Sequence, residues 1–146
     1  MGKKDDQHER TIENRRARFE YAIGETLECG IVLYGPEVKS VRDGKVSLAE
    51  GYVSAEIDPP ALWLHGVNIA EYGPAGPGRD SPLRVRKLLA NKREILRLFK
   101  AVQAKGTTLV PLKIYFKNGY AKCLIGVGVG RKKHDKREAI KERESK

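Results

Sequence analysis

Histidine and cysteine are both scarce in this chain, and their scarcity narrows its chemistry. The three histidines, His8, His65 and His134, are scattered; the two cysteines, Cys29 and Cys123, lie in strand-like apolar segments without CxxC spacing or a neighbouring histidine. Neither a metal site nor a nucleophile beside its base stands out in that distribution, and the cysteines read as small buried hydrophobes. Long apolar runs are missing too. No stretch approaches the roughly 18 residues of a membrane-spanning helix, no charged-then-apolar leader precedes a small-residue cleavage site, and neither end carries a lipidation signature. The expectation is a soluble cytoplasmic chain with no cofactor and no membrane partner. Gly126, Gly128 and Gly130 superficially resemble a nucleotide-binding run, but they end a strand and lead into a polar tail instead of a helix with an apolar face.

Positive charge, by contrast, is abundant. Lysine and arginine total 29 against 19 acidic residues, a net charge of +10. A cation-rich surface gains affinity for a polyanion by releasing its condensed counterions, so nucleic acid is the first partner class to consider. The charge is also segregated. Residues 19–78 hold three basic and nine acidic side chains, residues 79–105 nine basic and two acidic, and residues 131–146 eight basic and four acidic. Such segregation points to a polyanion-binding surface more than to solubility alone.

A length of 146 residues suits one domain with tails, and no internal repeat is present. Residues 1–12 read as a flexible polar lead, with order expected near Asn14. Phe19 to Leu33 is rich in strand formers, Gly24 and Gly30 suggesting bends or bulges in a curved sheet. Pro36 to Arg42 predicts a short helix with Val38 and Val41 on one face, ending at Gly44. Tyr52 to Ile57 and Leu62 to Val67 predict a hairpin turned by Asp58, Pro59 and Pro60. Tyr72 to Pro82, with its prolines and glycines, reads as a surface loop.

Asn91 and Glu94 have the spacing of a capping box, and Gly106 supplies a stop. The helix between them buries Ile95, Phe99 and Val102 and turns Lys92, Arg93, Arg97, Lys100 and Lys105 outward. Lys87, Leu88 and Leu89 lie in its approach. In Leu109 to Val129, the residues Val110, Leu112, Ile114 and Phe116 alternate with Pro111, Lys113, Tyr115 and Lys117. Asn118 and Gly119 form a type I′ turn, after which Ala121, Cys123, Ile125 and Val127 face inward. Five or six short curved strands with interposed helices fit a closed or partly open β-barrel with helices outside it, a mainly β fold with some α. Arg131 to Lys146 has Ala139 and Ile140 as its apolar residues, so it reads as a disordered basic tail. Glu138 with Lys141 and Glu142 with Lys146 are spaced to support a helix formed on a polyanion, where His134 could stack on a base.

Several motifs then coincide in order: ENRRARFEY (13–21), ETLECGIVL (25–33), GPEVKSVRDGK (35–45), SPLRVRKLL (81–89), NKREI (91–95), GTTLVPLKIYFKNGYAK (106–122) and HDKRE (134–138). Over residues 14–143 the chain resembles the SsrA-binding protein family. The resemblance implies an oligonucleotide-binding-type barrel over 13–130 and no enzymatic activity. It also implies binding to the tRNA-like domain of transfer-messenger RNA and its delivery to stalled ribosomes for trans-translation, in which the unfinished peptide is tagged and the ribosome rescued. The tail, 131–146, would enter the empty message channel near the small-subunit decoding centre. By position, the RNA-contacting residues fall on Asn14, Arg16, Arg18, Phe19, Tyr21, Glu28, Lys87 and Leu89, and the ribosome-contacting tail on Arg131, Lys132, Lys133, His134, Asp135, Lys136 and Arg137. Among them Glu28 is an acid that can accept from base amino or ribose hydroxyl groups. The chain departs from the family at Phe19, usually histidine, at Ser81, usually aspartate, and at Val129, a commonly basic position. A monomer is expected. The alternatives are a generic RNA-binding or ribosome-associated barrel without a rescue role, and an RNA-processing enzyme.

Overall fold

The computed structural model describes residues 10–71 and 81–131. Residues 72–80 of the expected surface loop and the tail beyond Arg131 lie outside the described residues. In chain order the elements are β1 (Ile12–Glu13), α1 (Arg15–Glu20), β2 (Tyr21–Ile31), α2 (Gly35–Arg42), β3 (Val46–Ser47), β4 (Tyr52–Ile57), β5 (Pro60–His65), β6 (Asn68–Ile69), β7 (Arg86–Leu89), α3 (Lys92–Ala101), β8 (Thr107–Lys117) and β9 (Tyr120–Gly130).

The strands close on themselves. Hydrogen-bonded neighbours run β8, β4, β5, β7, β2, β9, and β9 returns to β8, so these six form a ring, with β1 attached to β8 as a seventh strand. The two-residue strands β3 and β6 pair separately. Of the closed and the partly open arrangements expected, the closed one is found. Closure leaves the inward side chains fully enclosed: Cys29, Leu62, Leu64, Leu88, Leu109, Ile114, Cys123 and Ile125 are each at most 1% exposed. The two cysteines face each other across β2 and β9 as packed hydrophobes, and burial raises both thiols above their ordinary value, Cys29 to about 12.

Locally specified elements form where their residues dictate. Pro36 lies in the first turn of α2, where its missing N–H costs nothing, and the Tyr34 N–H donates to Glu37 Oε1 at 2.9 Å. At the start of α3 the capping box is reciprocal: the Glu94 N–H donates to Asn91 Oδ1 at 2.9 Å and the Asn91 N–H to Glu94 Oε1 at 3.0 Å. Asn118 and Gly119, at φ of 53° and 83°, turn the β8–β9 hairpin. The register of β2 against β9 shifts between Ile23 and Thr26, around Gly24, whereas at Gly30 the missing side chain lets Leu89 lie against the backbone.

Four details differ from the sequence reading. The stretch up to Arg18 holds a helix, α1, capped by Asn14, whose side chain accepts from the Ala17 N–H at 3.1 Å. Residues 86–89 are a strand, β7, bridging β2 and β5. In α3, Leu98 joins Ile95 in full burial, while Phe99 and Val102 are half-buried, because the helix lies against β4 and β5 on its Ile95–Leu98 edge. Finally, a bulge between Pro111 and Lys113 breaks the alternation in β8. Ile114 and Phe116 face the ring interior, but Val110 and Leu112 pack outside it against Ala17 of α1, with Tyr21, Ile23 and Leu124 around them.

That outer cluster explains the glycines near the end of β9. A Cβ on Gly126 would stand 2.9 Å from Ile23 Cγ2 and Leu112 Cδ1, and one on Gly128 would stand 3.0 Å from Tyr21 Cβ. They give the α1 cluster room to seat. Just beyond them the Arg131 N–H donates to the Glu20 carbonyl at 2.8 Å.

Candidate nucleic-acid interface

Strand register assembles the site. On the outer surface of the ring Trp63 of β5 stands opposite Lys87 of β7, and the Lys87 carbonyl accepts from the Val32 N–H at 3.0 Å. One row along, Leu89 is opposite Gly30, Gly30 opposite Lys122, and Lys122 opposite Tyr115. In the next row Glu28 is opposite Leu124, which is opposite Lys113. Glu28, Lys87 and Leu89, separated by up to 61 positions in sequence, therefore share one face with Lys113, Lys117 and Lys122. Leu89 is 52% exposed there, an apolar surface against which a base or ribose can lie.

Helix α1 borders this face. Arg15 and Arg18, one turn apart, line a cleft of about 410 Å³ together with Glu13, Asn14, Leu112, Lys113 and Leu124. Arg16 is turned to the other flank, where its guanidinium is bound by Glu20 at 2.9 Å and Glu50 at 2.6 Å. Asn14 is buried; its Nδ2 donates to the carbonyls of Leu48 at 3.1 Å and Pro111 at 2.9 Å while its Oδ1 caps α1. It fixes where the helix stands. Phe19 and Tyr21 are half-buried, and Tyr21 lies over Gly128.

The acid on this basic face is held by its neighbours. The Tyr115 hydroxyl donates to Glu28 Oε2, and Lys117 Nζ stands 3.5 Å from Oε1. That hydrogen bond, then the charges of Lys117 and Lys122, outweigh partial burial and keep the Glu28 carboxyl below its ordinary value. It is an anion at neutral pH, able only to accept. Lys113 lies 5.6 Å from the Tyr115 ring and Lys87 5.9 Å from the Trp63 ring, so cations and aromatic faces interleave as they do on surfaces that take phosphate and base together.

Arg15, Trp63, Lys113, Tyr115, Lys117 and Lys122 were not among the residues assigned to RNA from sequence. The outward phase of Lys113, Tyr115, Lys117 and Lys122 in the hairpin was the available signal for four of the six. Of the ribosome-contacting tail, Arg131 is described, and Lys132, Lys133, His134, Asp135, Lys136 and Arg137 lie outside the described residues. Among the described residues no cluster of three or more His, Cys, Asp or Glu could hold a metal ion, and no helix is long and apolar enough to cross a membrane.

Residues 11–146 match the model of the SmpB protein family. The chain belongs to the SmpB family. Its relatives include SsrA-binding proteins from Alkaliphilus metalliredigens, 48% identical over 90% of this chain and 83% of the relative, and from an Exiguobacterium species, 46% identical over 100% and 92%. A third, from Leuconostoc mesenteroides, is 50% identical over 90% and 84%. A chain in a solved structure described as "tmRNA-SmpB: a journey to the center of the bacterial ribosome" superposes with a TM-score of 0.71 at 46% identity. The match covers 89% of this chain and 94% of that one. The SmpB fold is thus a property of this sequence, consistent with the ring and its three flanking helices.

Proposed function

We propose that this chain binds the tRNA-like domain of transfer-messenger RNA and delivers it to stalled ribosomes for trans-translation. The observation that carries the reading is the continuous outer face of β5, β7, β2, β9 and β8, bordered by α1, where cations surround the oriented carboxylate of Glu28, with Glu13 at the α1 edge. Lys87, Lys113, Lys122, Arg15 and Arg18 would take phosphates, Leu89 and the aromatic rings would take sugar and base faces, and Glu28 would accept from RNA donors. Asn14 would act through the helix it anchors, and Arg16 through the flank it shares with Glu50. The protein binds without making or breaking bonds. Acting on ribosomes, it would work in the cytoplasm, and as a monomer.

Selectivity is the property that electrostatics alone cannot supply. In a titration at physiological salt, the tRNA-like domain should bind at least about tenfold more tightly than ordinary tRNA or a plain duplex of equal length. Glu28→Ala should erase that preference. Equal binding to all three RNAs would leave a generic RNA-binding ring without a rescue role.

The tail, including His134, Asp135, Lys136 and Arg137, would fold in the empty message channel near the decoding centre. Ending the chain after Arg131 keeps the Arg131 N–H bond to Glu20 and removes the rest of the tail. The shortened protein should bind the RNA normally and fail to support peptide tagging on stalled ribosomes in a reconstituted translation assay. Tagging at the full rate would exclude a role for the tail.

A further inference from the structure

Glu28 stands in an exposed stretch of β2, and a free glutamate there could swing toward any of Lys113, Lys117 or Lys122 and be neutralised. Tyr115 limits this by holding one of the two carboxylate oxygens. Its position opposite Lys122, one row from Glu28 and two strands away across β9, lets its hydroxyl reach Glu28 Oε2. The other oxygen, Oε1, has Lys117 Nζ at 3.5 Å, a long contact that leaves it acceptor capacity. The Tyr115 ring is itself half-buried on the sheet, so the hydroxyl is presented from a fixed base.

We propose that Tyr115 is a positioning residue for RNA selectivity: it aims the Glu28 carboxylate outward as an acceptor for a base amino or ribose hydroxyl donor. The inference rests on Glu28 facing the RNA, as proposed above. A directed acceptor on a cationic face rejects RNA whose groove offers no donor at that place, because the carboxylate would then be desolvated without a partner. Phosphate attraction comes from the lysines and does not depend on Tyr115.

The test is a double-mutant cycle on the full-length protein, titrating the tRNA-like domain and a plain duplex. Tyr115→Phe keeps the ring and its place beside Lys113, so the melting midpoint should stay within about 2 °C of the parent. Its preference for the tRNA-like domain should fall roughly tenfold, the scale of a hydrogen bond to a charged group, with duplex affinity unchanged. Glu28→Gln should lose at least as much, and the double variant no more than Glu28→Gln alone. Glu28→Asp retains the charge but cannot reach the hydroxyl, and should match Tyr115→Phe. Repeating the cycle with 2′-fluoro riboses identifies the donor: the Glu28 effect vanishes if it is the ribose hydroxyl and persists if it is a base amino group.

Additive losses would mean that Tyr115 acts independently of Glu28 and would overturn the inference, as would full preference in Tyr115→Phe or Glu28→Asp. If the parent protein itself shows no preference, the functional reading fails and takes this inference with it, an outcome visible before any variant is made.

Discussion

Replacing Glu37 by alanine should cost about 3–5 kcal/mol of folding stability, the penalty for stranding a buried charge. Glu37 is the hub of an ion cluster beneath the end of β7. Arg86, fully buried, donates to its Oε2 from Nε at 2.9 Å and from Nη2 at 2.6 Å, and Arg84 donates to Oε1 from Nη2 at 2.5 Å. Arg86 also reaches the carbonyls of Val67 at 2.8 Å and Pro82 at 3.0 Å. Without Glu37 those carbonyls remain but the countercharge does not, and the N–H of Tyr34 loses its acceptor as well. Denaturant titration should show a lower midpoint with an unchanged slope, and heating a fall of more than about 10 °C. Arg86→Met should cost less, since Glu37 would keep Arg84.

The same cluster sets an acid limit. Burial alone would raise the Glu37 carboxyl, but hydrogen bonds from Arg84, the Tyr34 N–H and Arg86, with the charge of Arg86, outweigh it and hold the group below 4.5, the value of the free side chain. A depressed acid contributes its stability in full above the unfolded value and loses it as pH falls toward the folded one. Stability should therefore decline as the pH drops below about 4.5, and in Glu37→Gln that part of the decline should be absent. An identical acid limb in both proteins, measured by denaturant titration across pH, would assign the loss to other carboxylates.

Gly66→Ala should be nearly as damaging, at about 2–4 kcal/mol. Gly66 sits at φ +70° in the turn between β5 and β6, and a Cβ there would stand 2.4 Å from the Glu50 carbonyl oxygen. Left-handed backbone costs an L-residue roughly 1–2 kcal/mol, and forced overlap with main chain adds about 1–3 more. The backbone of Glu50 must move, and its carboxylate is the partner of Arg16. Chemical denaturation should therefore report a loss at Gly66 accompanied by weaker holding of Arg16. A variant as stable as the parent would show that the turn can open without cost.

What could be read from sequence was what neighbouring residues determine. The Asn91–Glu94 box, Pro36 and the Asn118–Gly119 turn each act within four residues, and the elements they govern fell where expected. α1 escaped because RRARFE has no apolar period and its six residues cannot sustain a helix alone; it exists because Asn14 is anchored to Leu48 and Pro111 and Ala17 docks on β8. The Asn14 cap and the Arg16–Glu20 spacing are the signals from which it could have been found. β7 escaped for a different reason: its inward positions are Arg86 and Leu88, and an arginine inside a ring is intelligible only once Glu37, 49 residues away, is known to meet it. The site behaved likewise. Family resemblance indicated Glu28, Lys87 and Leu89, but that they share a face follows from the pairing of β2 with β7, a long-range register. Asn14 and Arg16 bear on the site less directly than a row of letters suggests, one through its buried anchor and the other from the far flank of a short helix.

The bond between the Arg131 N–H and the Glu20 carbonyl fixes where force enters this molecule. The last described residue leaves the body at the C-terminal end of α1, so any pull on the segment that follows is delivered to the seam between that helix and β9. Such a load would be shared between a strand of the ring and the helix that carries Arg15 and Arg18. Residue 131 is thereby tied at once to β9, through the chain, and to α1, through that bond.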